Sequence, residues 1–432
     1  MKKVYFVLLS LVVVIGLVGT GCKPAPPPTP EVIKETVEVT KVVEKEVVVT
    51  PTPPEPVTIT IWHGIVGAYL ESYEMAAEAY MAAHPNVTIE LVHTADFQTA
   101  ALTAIPAGEG PEIIAWANDW IGKYALTKAI VPLDDYIDMD WFEKTYEPAA
   151  KAAMKFQGKI WGLPYRQEAI LLVYNKALIS EEDLPADPLD FDDLMAKAKA
   201  FQEAHPGIYY LCNQGLGNPD AYHVAPIYHG FGGWYVDDEG NVGLTTPEML
   251  AAAEWIAKFR EISPAETSHE ICMAMLAEGK AAMWWTGPWA IKSVMDAGID
   301  YGLQPMGRPF VGVHCFMMTA NAVERGKAEV TVDVMKYLTS AEVWKRMAVI
   351  NKEVPAATEA LKDPDVQAMY EIKQFGASAA LGVPMPSTPF MTCMWGPVGD
   401  ATMAIWTGTQ TPEEAMEAAK AAAEECIAGM KE

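Results

Sequence analysis

The spacing of apolar and polar residues changes several times along the chain after residue 57. Residues 58–62 are a short β-rich run and residues 86–92 alternate as a strand, whereas residues 69–84 carry apolar side chains at helical spacing up to a proline. A second helical stretch, 97–107, leads through a glycine-rich turn into the apolar strand 112–116. Strands that alternate with helices in this way predict βαβ units and a largely parallel sheet with both faces covered.

The same pattern continues through the rest of the chain. Its 432 residues are too many for one ordinary core, and they fit two lobes that follow an N-terminal extension. Further strands are predicted at 208–211 and 281–285, and further helices at 247–260, 328–349 and 412–430.

The first 21 residues have the pattern of an export signal. Lys2 and Lys3 precede an apolar run, 4–18, that is short for a membrane-spanning helix. Residues 17–22 read LVGTGC and resemble the lipobox of bacterial lipoproteins, which implies that Cys22 is lipidated and anchors the protein on the extracytoplasmic face of the cell membrane. An ordinary cleaved signal peptide and an uncleaved anchor are the alternatives.

Residues 22–56 form a predicted tether between this signal and the fold. Proline clusters open and close it at 24–30 and 51–56, and such stretches favour extended conformations. Residues 31–50 alternate valine with charged residues and threonine, but they have no neighbour to bury against. We therefore expect a stiff spacer, with a short helix or a self-association element as the alternative.

The charge of the chain disfavours two classes of partner. The formal net charge is −26 and the sequence pI is about 4.7. Such an acidic surface repels phosphate backbones and anionic lipid head groups. We therefore expect no nucleic acid partner and no electrostatic docking to a membrane.

The cysteines allow disulfides but cannot all pair. An export compartment permits disulfide bonds, and the five cysteines that remain beside Cys22 leave at least one thiol free. No pair of them has the spacing of a metal site, and the sequence leaves their pairing open. These five are Cys212, Cys272, Cys315, Cys393 and Cys426.

Several motifs of enzymes and ATPases are missing from the sequence. It contains no phosphate-binding loop of the GxxxxGK[ST] type, no GxSxG elbow and no HExxH pair. The eight histidines are scattered, and His223 and His229 lie closest together on a predicted site loop. We expect neither a metal nor a cofactor, and no catalysis. Two carboxylates such as Asp119 and Glu168 could serve a glycosidase, so a hydrolase remains an alternative.

Five segments of the chain form a recognisable set of motifs. They are GKIWGLPY at 158–165 with Glu168 and VYNK at 173–176; GKAAM at 279–283 with GPW at 287–289; GPEIIAWAND at 110–119; PFVGV at 309–313; and Trp395. Together they cover nearly everything after Val57. In their collinear order they resemble family 1 extracellular solute-binding proteins of ABC importers, and within the family the likeness is closest to maltose/maltodextrin-binding proteins.

The resemblance implies a fold, a mode of action and partners. The fold is α/β, of the periplasmic-binding-protein-like II class, with two discontinuous lobes, a hinge and a ligand cleft between the lobes. The lobes are expected at 57–166 with 315–362 (N-lobe) and at 167–314 with 363–432 (C-lobe). The chain is then a monomeric binding protein that delivers an oligosaccharide to a permease with a separate ATPase.

Family positions that contact sugar can be carried over to this sequence. One face of a glucosyl ring presents C–H groups that suit an indole, and its hydroxyls suit carboxylates. Trp289 and Trp395 match aromatic platforms. The other matching positions are Trp116, Asp119, Glu168, Asp220 and Tyr222.

Departures from the family pattern leave the identity of the bound sugar undetermined. The loop that begins at His63 lacks the Asp-Lys pair of maltose binders, Gln98 stands where an acid is expected, and Trp120 replaces a basic residue. Trp234, after a glycine-rich stretch, is a further candidate platform. His63, Gln98, Trp120 and Trp234 are included among the candidate ligand contacts. The expected ligand is a maltose- or maltodextrin-like oligosaccharide. Another sugar, a polyol phosphate or a polyamine is an alternative.

Overall fold

The computed structural model describes residues 55–65, 68–94 and 96–431. Residues 1–54, with the predicted signal, Cys22 and nearly all of the tether, therefore lie outside the described residues.

Short strands are connected mainly through helices, as the alternating pattern predicts. The strands are β1 (Val57–His63), β2 (Val87–His93), β3 (Ile113–Ala117), β4 (Lys155–Phe156), β5 (Lys159–Ile160), β6 (Leu163–Glu168), β7 (Leu171–Asn175), β8 (Tyr209–Asn213), β9 (Ala281–Thr286), β10 (Tyr301–Gln304), β11 (Phe310–Met318), β12 (Val354–Pro355) and β13 (Val383–Pro384).

The first sheet has the strand order β12-β6-β11-β3-β1-β2, with β13 paired to β11. Strand β1 is parallel to β2 and to β3, because helical crossovers connect them. Strand β11 arrives late in the chain and runs antiparallel to both β3 and β6. The sheet is therefore mixed, whereas the sequence pattern predicted a largely parallel one.

The second sheet has the order β10-β7-β9-β8. Only β8 and β9 are parallel, while β7 is antiparallel to β9 and to β10. Strand β9, AAMWWT, is buried along its whole length, including the indoles of Trp284 and Trp285. A strand that is apolar on both faces is expected when both faces of a sheet are covered.

Helices cover both sheets, and one predicted helix is in fact two. The predicted helix 328–349 is broken at Thr339-Ser340, because Ser340 caps a new helix by accepting a hydrogen bond from Val343 N at 3.4 Å. The helices are α1 (Ala68–Ala83), α2 (Phe97–Ala104), α3 (Ile121–Leu126), α4 (Met139–Thr145), α5 (Pro148–Ala153), α6 (Phe191–Ala204), α7 (Ala221–Gly230), α8 (Pro247–Phe259), α9 (His269–Ala277), α10 (Ile291–Asp296), α11 (Ala320–Glu324), α12 (Ala328–Leu338), α13 (Ala341–Asn351), α14 (Thr358–Leu361), α15 (Pro364–Ala368), α16 (Tyr370–Leu381), α17 (Trp395–Thr407) and α18 (Pro412–Lys431).

Each sheet has its own hydrophobic core. The core of the first sheet draws its buried residues from 59–165 and 313–360. The core of the second sheet draws almost all of its buried residues from 170–310 and 385–427. Each core is thus assembled from separate stretches of chain. In the described part of the chain, no helix is both long and apolar enough to cross a membrane.

Strands β6 and β11 lie side by side where the chain passes between the two sheets. Gly312 pairs with Glu168, and His314 pairs with Arg166. Because side chains alternate along a strand, these four positions share one face of the strand pair, and Gln167, Val311 and Val313 lie on the other.

The cysteine pairing that the sequence left open is settled by the structure. Cys212 in β8 is bonded to Cys272 in α9, and Cys393 is bonded to Cys426 in α18. Cys315 in β11 is a buried free thiol, in keeping with the odd count.

Candidate ligand-binding site between the two sheets

Trp116 and Asp119 are brought together by the end of strand β3. The strand ends at Ala117 and continues directly as a short 3-10 turn, 118–120. The Trp116 ring makes edge contacts with Phe97 and His314, with ring centroids 5.4 and 5.6 Å apart. It also lies so close to Gly64 that a Cβ there would be 2.4 Å from the indole. Glycine at position 64 therefore leaves room for the Trp116 ring.

Only one oxygen of the Asp119 carboxylate has a hydrogen-bond partner from another side chain. Its Oδ2 accepts a hydrogen bond of 2.9 Å from Trp395 Nε1, whereas its buried Oδ1 has no hydrogen-bond partner among the described residues. Burial raises the pKa of Asp119 to about 7. Asp119 can therefore change its charge close to neutral pH, and Oδ1 is a free acceptor.

Glu168 lies in a buried charge network on the shared face of β6 and β11. Its Oε1 is 3.1 Å from His314 Nε2, and its Oε2 is 3.3 Å from Arg166 Nη2. Burial by itself would raise the pKa of Glu168, but His314 and Arg166 outweigh it and lower the pKa to about 2. Glu168 is thus ionised at neutral pH, and its Oε2 has no hydrogen bond within the described chain.

Arg166 is shared between two carboxylates. It also pairs with the fully buried Glu353, which in turn accepts a hydrogen bond of 3.2 Å from Asn351 Nδ2. Burial, followed by the nearby charge of Arg166, lowers the pKa of His314. His314 is therefore neutral at pH 7 and can donate one N–H to Glu168.

Asp220 caps helix α7. Its Oδ1 accepts hydrogen bonds of 3.1 Å from the backbone N–H groups of Tyr222 and His223, and its Oδ2 accepts one of 3.1 Å from Gln214. Burial would raise its pKa, but His223 and these donors lower it to about 2. Its capping bonds orient the start of α7 and hence Tyr222.

Tyr222 is the centre of a cluster of aromatic rings. Its centroid is 6.2 Å from that of Trp289, 6.3 Å from that of Trp395 and 6.4 Å from that of Phe310. The buried hydroxyl of Tyr222 has no hydrogen-bond partner in the described structure. The structure thus brings Tyr222, Trp289 and Trp395 together, and Trp395 connects them to Asp119.

Two of the hydrogen bonds that cross from the first sheet's side to the second lie at the aromatic cluster. One is the Trp395–Asp119 bond. In the other, the hydroxyl of Tyr69 in α1 lies 2.5 Å from the carbonyl oxygen of Pro288, the residue before Trp289, and 2.8 Å from that of Asn351. The two lobes therefore meet at the aromatic cluster itself.

Four of the candidate contacts lie elsewhere. The ring of Trp120 is tilted against that of Tyr124 at the edge of the first core, and Trp234 is 38% exposed beside Gly243. In the described chain, no ring contact or hydrogen bond joins Trp120, Trp234, Gln98 or His63 to the aromatic cluster or to Asp119 and Glu168.

Gln98 and His63 make local hydrogen bonds, and their contact with a ligand stays a prediction. Gln98 is half-buried, and its backbone oxygen accepts a hydrogen bond from the Tyr124 hydroxyl at 3.0 Å. His63 Nδ1 accepts from Ile65 N at 3.1 Å, and burial followed by His93 lowers the pKa of His63 to about 4. His63 is therefore a neutral histidine at the end of β1.

Sequence reasoning did not assign His314 or Arg166 to the candidate site. Arg166 could have been recognised, because it lies two residues before Glu168 and so faces the same side of a strand. Nothing in the sequence indicates that His314, 146 residues away from Glu168, lies beside it. That contact depends on the register between β6 and β11.

A cavity of about 650 Å³ lies on the face of strands β6 and β11 that is opposite the charge network of Arg166, Glu168 and His314. Gln167, Val311 and Val313 line it, together with Met385 and Ser387. Because these side chains alternate with those of the charge network, the cavity is separate from the aromatic cluster.

This arrangement suits a neutral, polyhydroxylated ring. Asp119 Oδ1, Glu168 Oε2 and the Tyr222 hydroxyl are buried polar atoms without hydrogen-bond partners in the described chain, and they lie around aromatic rings. A bound ligand rich in hydroxyl groups would give these atoms the hydrogen-bond partners that buried polar atoms rarely lack. The rings supply apolar faces, and the unpaired atoms supply positions for hydroxyl groups.

Comparisons with known proteins agree with this geometry. The family model described as bacterial extracellular solute-binding protein matches residues 67–425. A maltotriose-binding protein of Pyrococcus abyssi is 32% identical over 359 residues, which are 79% of this chain and 76% of that protein. A galactooligosaccharide-binding protein of Bacillus subtilis is 25% identical over 335 residues, 73% of this chain and 76% of that protein.

A solved structure has the same fold. It is a cyclo/maltodextrin-binding protein complexed with maltotetraose, with a TM-score of 0.71 and 25% identity, and the match covers 87% of this chain and 98% of that one. The two-lobed, periplasmic-binding-protein-like fold expected from the sequence is thereby confirmed.

Proposed function

Because this chain belongs to the bacterial extracellular solute-binding proteins, we propose that it captures an oligosaccharide of the maltodextrin type for an ABC importer. The permease and the ATPase are separate chains, and the binding protein acts as a monomer without catalysis. The likeness to a maltotriose-binding protein supports this class of ligand.

The observation that carries the proposal is the group of polar atoms beside the aromatic rings that have no hydrogen-bond partner in the described chain, although Glu168 Oε2 also forms an ion pair with Arg166. Trp116, Trp289 and Trp395 offer stacking surfaces for sugar rings. Asp119 Oδ1 and Glu168 Oε2 accept hydrogen bonds from hydroxyl groups, and a bond to a charged acceptor contributes about 1.5–3 kcal/mol. An ionised Glu168 thus favours a neutral ligand rich in hydroxyls over an anionic one.

Ligand capture is coupled to closure of the lobes. We assign 57–166 with 315–362 to the N-lobe and 167–314 with 363–432 to the C-lobe. Asp119 and Trp116 then belong to one lobe and Tyr222, Trp289 and Trp395 to the other. A ligand that contacts both sets binds the closed state better and shifts the population toward it.

Calorimetry with purified protein tests the proposal. We expect maltotriose and maltotetraose to bind and to be recovered unchanged by chromatography, with a raised Tm. Galacto-oligosaccharides, a polyol phosphate and a polyamine serve as competing ligands. Binding of one of these instead would replace the proposed ligand, and cleavage of the oligosaccharide would replace binding with hydrolysis.

The cellular location rests on the family and on the N-terminal sequence. We propose that lipidated Cys22 holds the protein at the outer face of the membrane and that residues 23–56 act only as a tether. Cys22→Ala should release the protein from the membrane fraction without changing its affinity for sugar. A variant that stays in the membrane fraction would refute lipidation at this residue.

A further inference from the structure

The two disulfides differ sharply in their surroundings. Cys212 and Cys272 are both fully buried in the core around β9. Cys393 is 2% exposed, but its partner Cys426 is an exposed residue on helix α18. A thiol can reach an exposed disulfide far more easily than a buried one. The Cys393–Cys426 bond is therefore the accessible one of the two.

This accessible disulfide lies two residues before Trp395. Cys393 ends the 3-10 turn 389–393, and helix α17 begins at Trp395. The bond thus ties the turn before Trp395 to α18. The other contacts between this turn and the end of α18 involve no hydrogen bond between their backbones: Cys393 Sγ lies 3.9 Å from Met430 Sδ, Lys431 Nζ lies 5.0 Å from the centroid of the Phe390 ring, and the two segments share the core of the second sheet.

The same stretch of chain is held from the N-lobe side. Asn118 Nδ2 donates hydrogen bonds of 2.8 Å to Met385 O and to Ser387 Oγ, and Gly122 N donates one of 3.1 Å to Ser387 O. Residues 385–395 therefore run from contacts with one lobe to the disulfide of the other. The disulfide fixes the C-lobe end of this stretch, from which Trp395 reaches across to Asp119.

We infer that the Cys393–Cys426 disulfide positions Trp395 and that ligand affinity therefore depends on whether this bond is oxidised. The inference rests on the proposed function, because it concerns the platform on which a sugar ring stacks. With the bond intact, Trp395 is held in one place before ligand arrives. With the bond open, ligand must order the turn 389–393 as it binds, and this ordering weakens the affinity.

The chemical step is a thiol–disulfide exchange. Two small-molecule thiol groups, or one dithiol, supply two electrons and two protons. The S–S bond breaks, Cys393 and Cys426 each become a thiol, and the reductant is oxidised to its own disulfide. The exposed Cys426 sulfur is the side that the attacking thiolate can approach.

A double-mutant cycle tests whether the disulfide acts through Trp395. The four proteins are the wild type, Cys393→Ser/Cys426→Ser, Trp395→Ala and the triple variant, each titrated with maltotriose by calorimetry. We expect the disulfide variant to bind at least about threefold more weakly than the wild type. In the Trp395→Ala background, the same cysteine changes should have no further effect on the Kd.

The buried disulfide provides a matched control. Cys212→Ser/Cys272→Ser should lower Tm but leave the maltotriose affinity of the folded protein unchanged, because neither cysteine belongs to the turn before Trp395 or to α18. An effect of Cys393→Ser/Cys426→Ser that is equal with and without Trp395 would overturn the positioning role. An unchanged affinity of that variant would overturn it as well.

Reduction of the wild-type chain provides a test that needs no variant. Protein treated with increasing dithiothreitol, alkylated and mapped by mass spectrometry should open Cys393–Cys426 before Cys212–Cys272, and affinity should fall with the first step. A fall that follows only the second step would contradict the inference. A wild type that binds no maltodextrin would instead refute the proposed function, and a Trp395→Ala variant with unchanged affinity would refute the assignment of the platform.

Discussion

Trp395 donates its indole N–H to the carboxylate of Asp119 across 276 residues of chain, with Nε1 and Oδ2 2.9 Å apart. The two residues belong to different cores, so this bond joins the lobes directly. Oδ2 of Asp119 accepts this hydrogen bond, whereas Oδ1 has no partner in the described chain and can accept a hydrogen bond from a ligand. The ring of Trp395 stays available for stacking while its N–H holds the lobes together.

Substitution of Trp395 should separate stacking from hydrogen bonding. We expect Trp395→Ala to weaken maltotriose binding by about 1 kcal/mol or more, roughly fivefold, because a stacked ring is lost. Trp395→Phe keeps a ring but loses the N–H, and it should fall between the wild type and the alanine variant. Calorimetry gives the three Kd values.

Two other tryptophans are matched controls for this series. Trp120→Ala and Trp234→Ala remove rings that lie outside the aromatic cluster, so both should bind maltotriose nearly as the wild type does. If Trp120→Ala or Trp234→Ala weakened binding as much as Trp395→Ala, the location of the site would be wrong.

The raised pKa of Asp119 makes stability depend on pH. Its ordinary pKa is 3.8, and burial raises it to about 7 in the folded chain. Between these pH values the folded state binds the extra proton, so stability falls as pH rises from about 4 to about 7. Asp119→Asn should remove this slope and raise the free energy of unfolding at pH 8 by on the order of 1–4 kcal/mol.

Denaturant unfolding of the ligand-free protein at pH 5 and pH 8 measures this effect. The wild type and Asp119→Asn should differ more at pH 8 than at pH 5. The same variant should bind maltotriose more weakly, since it loses a charged acceptor. If the unfolding free energies of the wild type and Asp119→Asn changed equally between pH 5 and pH 8, Asp119 would not titrate in that range.

Glu168→Gln should affect both folding and binding. The change leaves Arg166 with one carboxylate partner, Glu353, in a buried site, and we expect a loss of about 1–3 kcal/mol in unfolding free energy. Maltotriose affinity should fall because an ionised acceptor becomes neutral. The exposed Glu359→Gln, which removes a 3.8 Å pair with Lys362, is the control and should leave Tm and Kd unchanged.

Longer glucans should bind more tightly than maltose. We assign the indoles of Trp116, Trp289 and Trp395 to the proposed site, so an additional sugar ring should be able to stack on an additional apolar surface. We expect maltotriose or maltotetraose to bind several-fold more tightly than maltose, about 1 kcal/mol or more. Calorimetry on a ladder of maltodextrins checks this, and a disaccharide optimum would contradict it.

Ligand should compact the folded part of the protein. Residues of both lobes form the site, so saturating maltotriose should lower the radius of gyration measured by small-angle scattering of a chain that begins near residue 55. A radius that stays constant, at a saturation verified by calorimetry, would argue against lobe closure.

The parts of the fold that the sequence predicted are those with strong local patterns. Helix α1, strand β2 and helix α18 lie where the spacing of apolar residues indicated, within one or two residues. The helix predicted at 328–349 was too long, because an amphipathic pattern continued across Ser340 and hid the cap that divides it. A cap is a local event that periodicity alone does not reveal.

Motif positions pointed to part of the candidate site, and strand register determined the rest. Tyr222, Trp289 and Trp395 form the aromatic cluster, Trp395 is hydrogen-bonded to Asp119, and His314 lies against both Trp116 and Glu168. Trp120 and Trp234 were inferred from their aromatic character and their neighbours in sequence, which do not determine the direction of a side chain. The contact between Glu168 and His314 required a pairing of distant strands that no local pattern encodes.

The buried thiol of Cys315 has a consequence for the order of folding. The four cysteines that pair lie in the C-lobe, whereas Cys315 lies in β11 between β3 and β6 of the N-lobe sheet. Burial raises the pKa of this thiol well above its ordinary value, so the folded N-lobe withholds the reactive thiolate. A folding chain therefore keeps the Cys315 thiol from exchanging with the two native disulfides only once β11 has inserted into the sheet. Assembly of one lobe thus protects correct oxidation of the other.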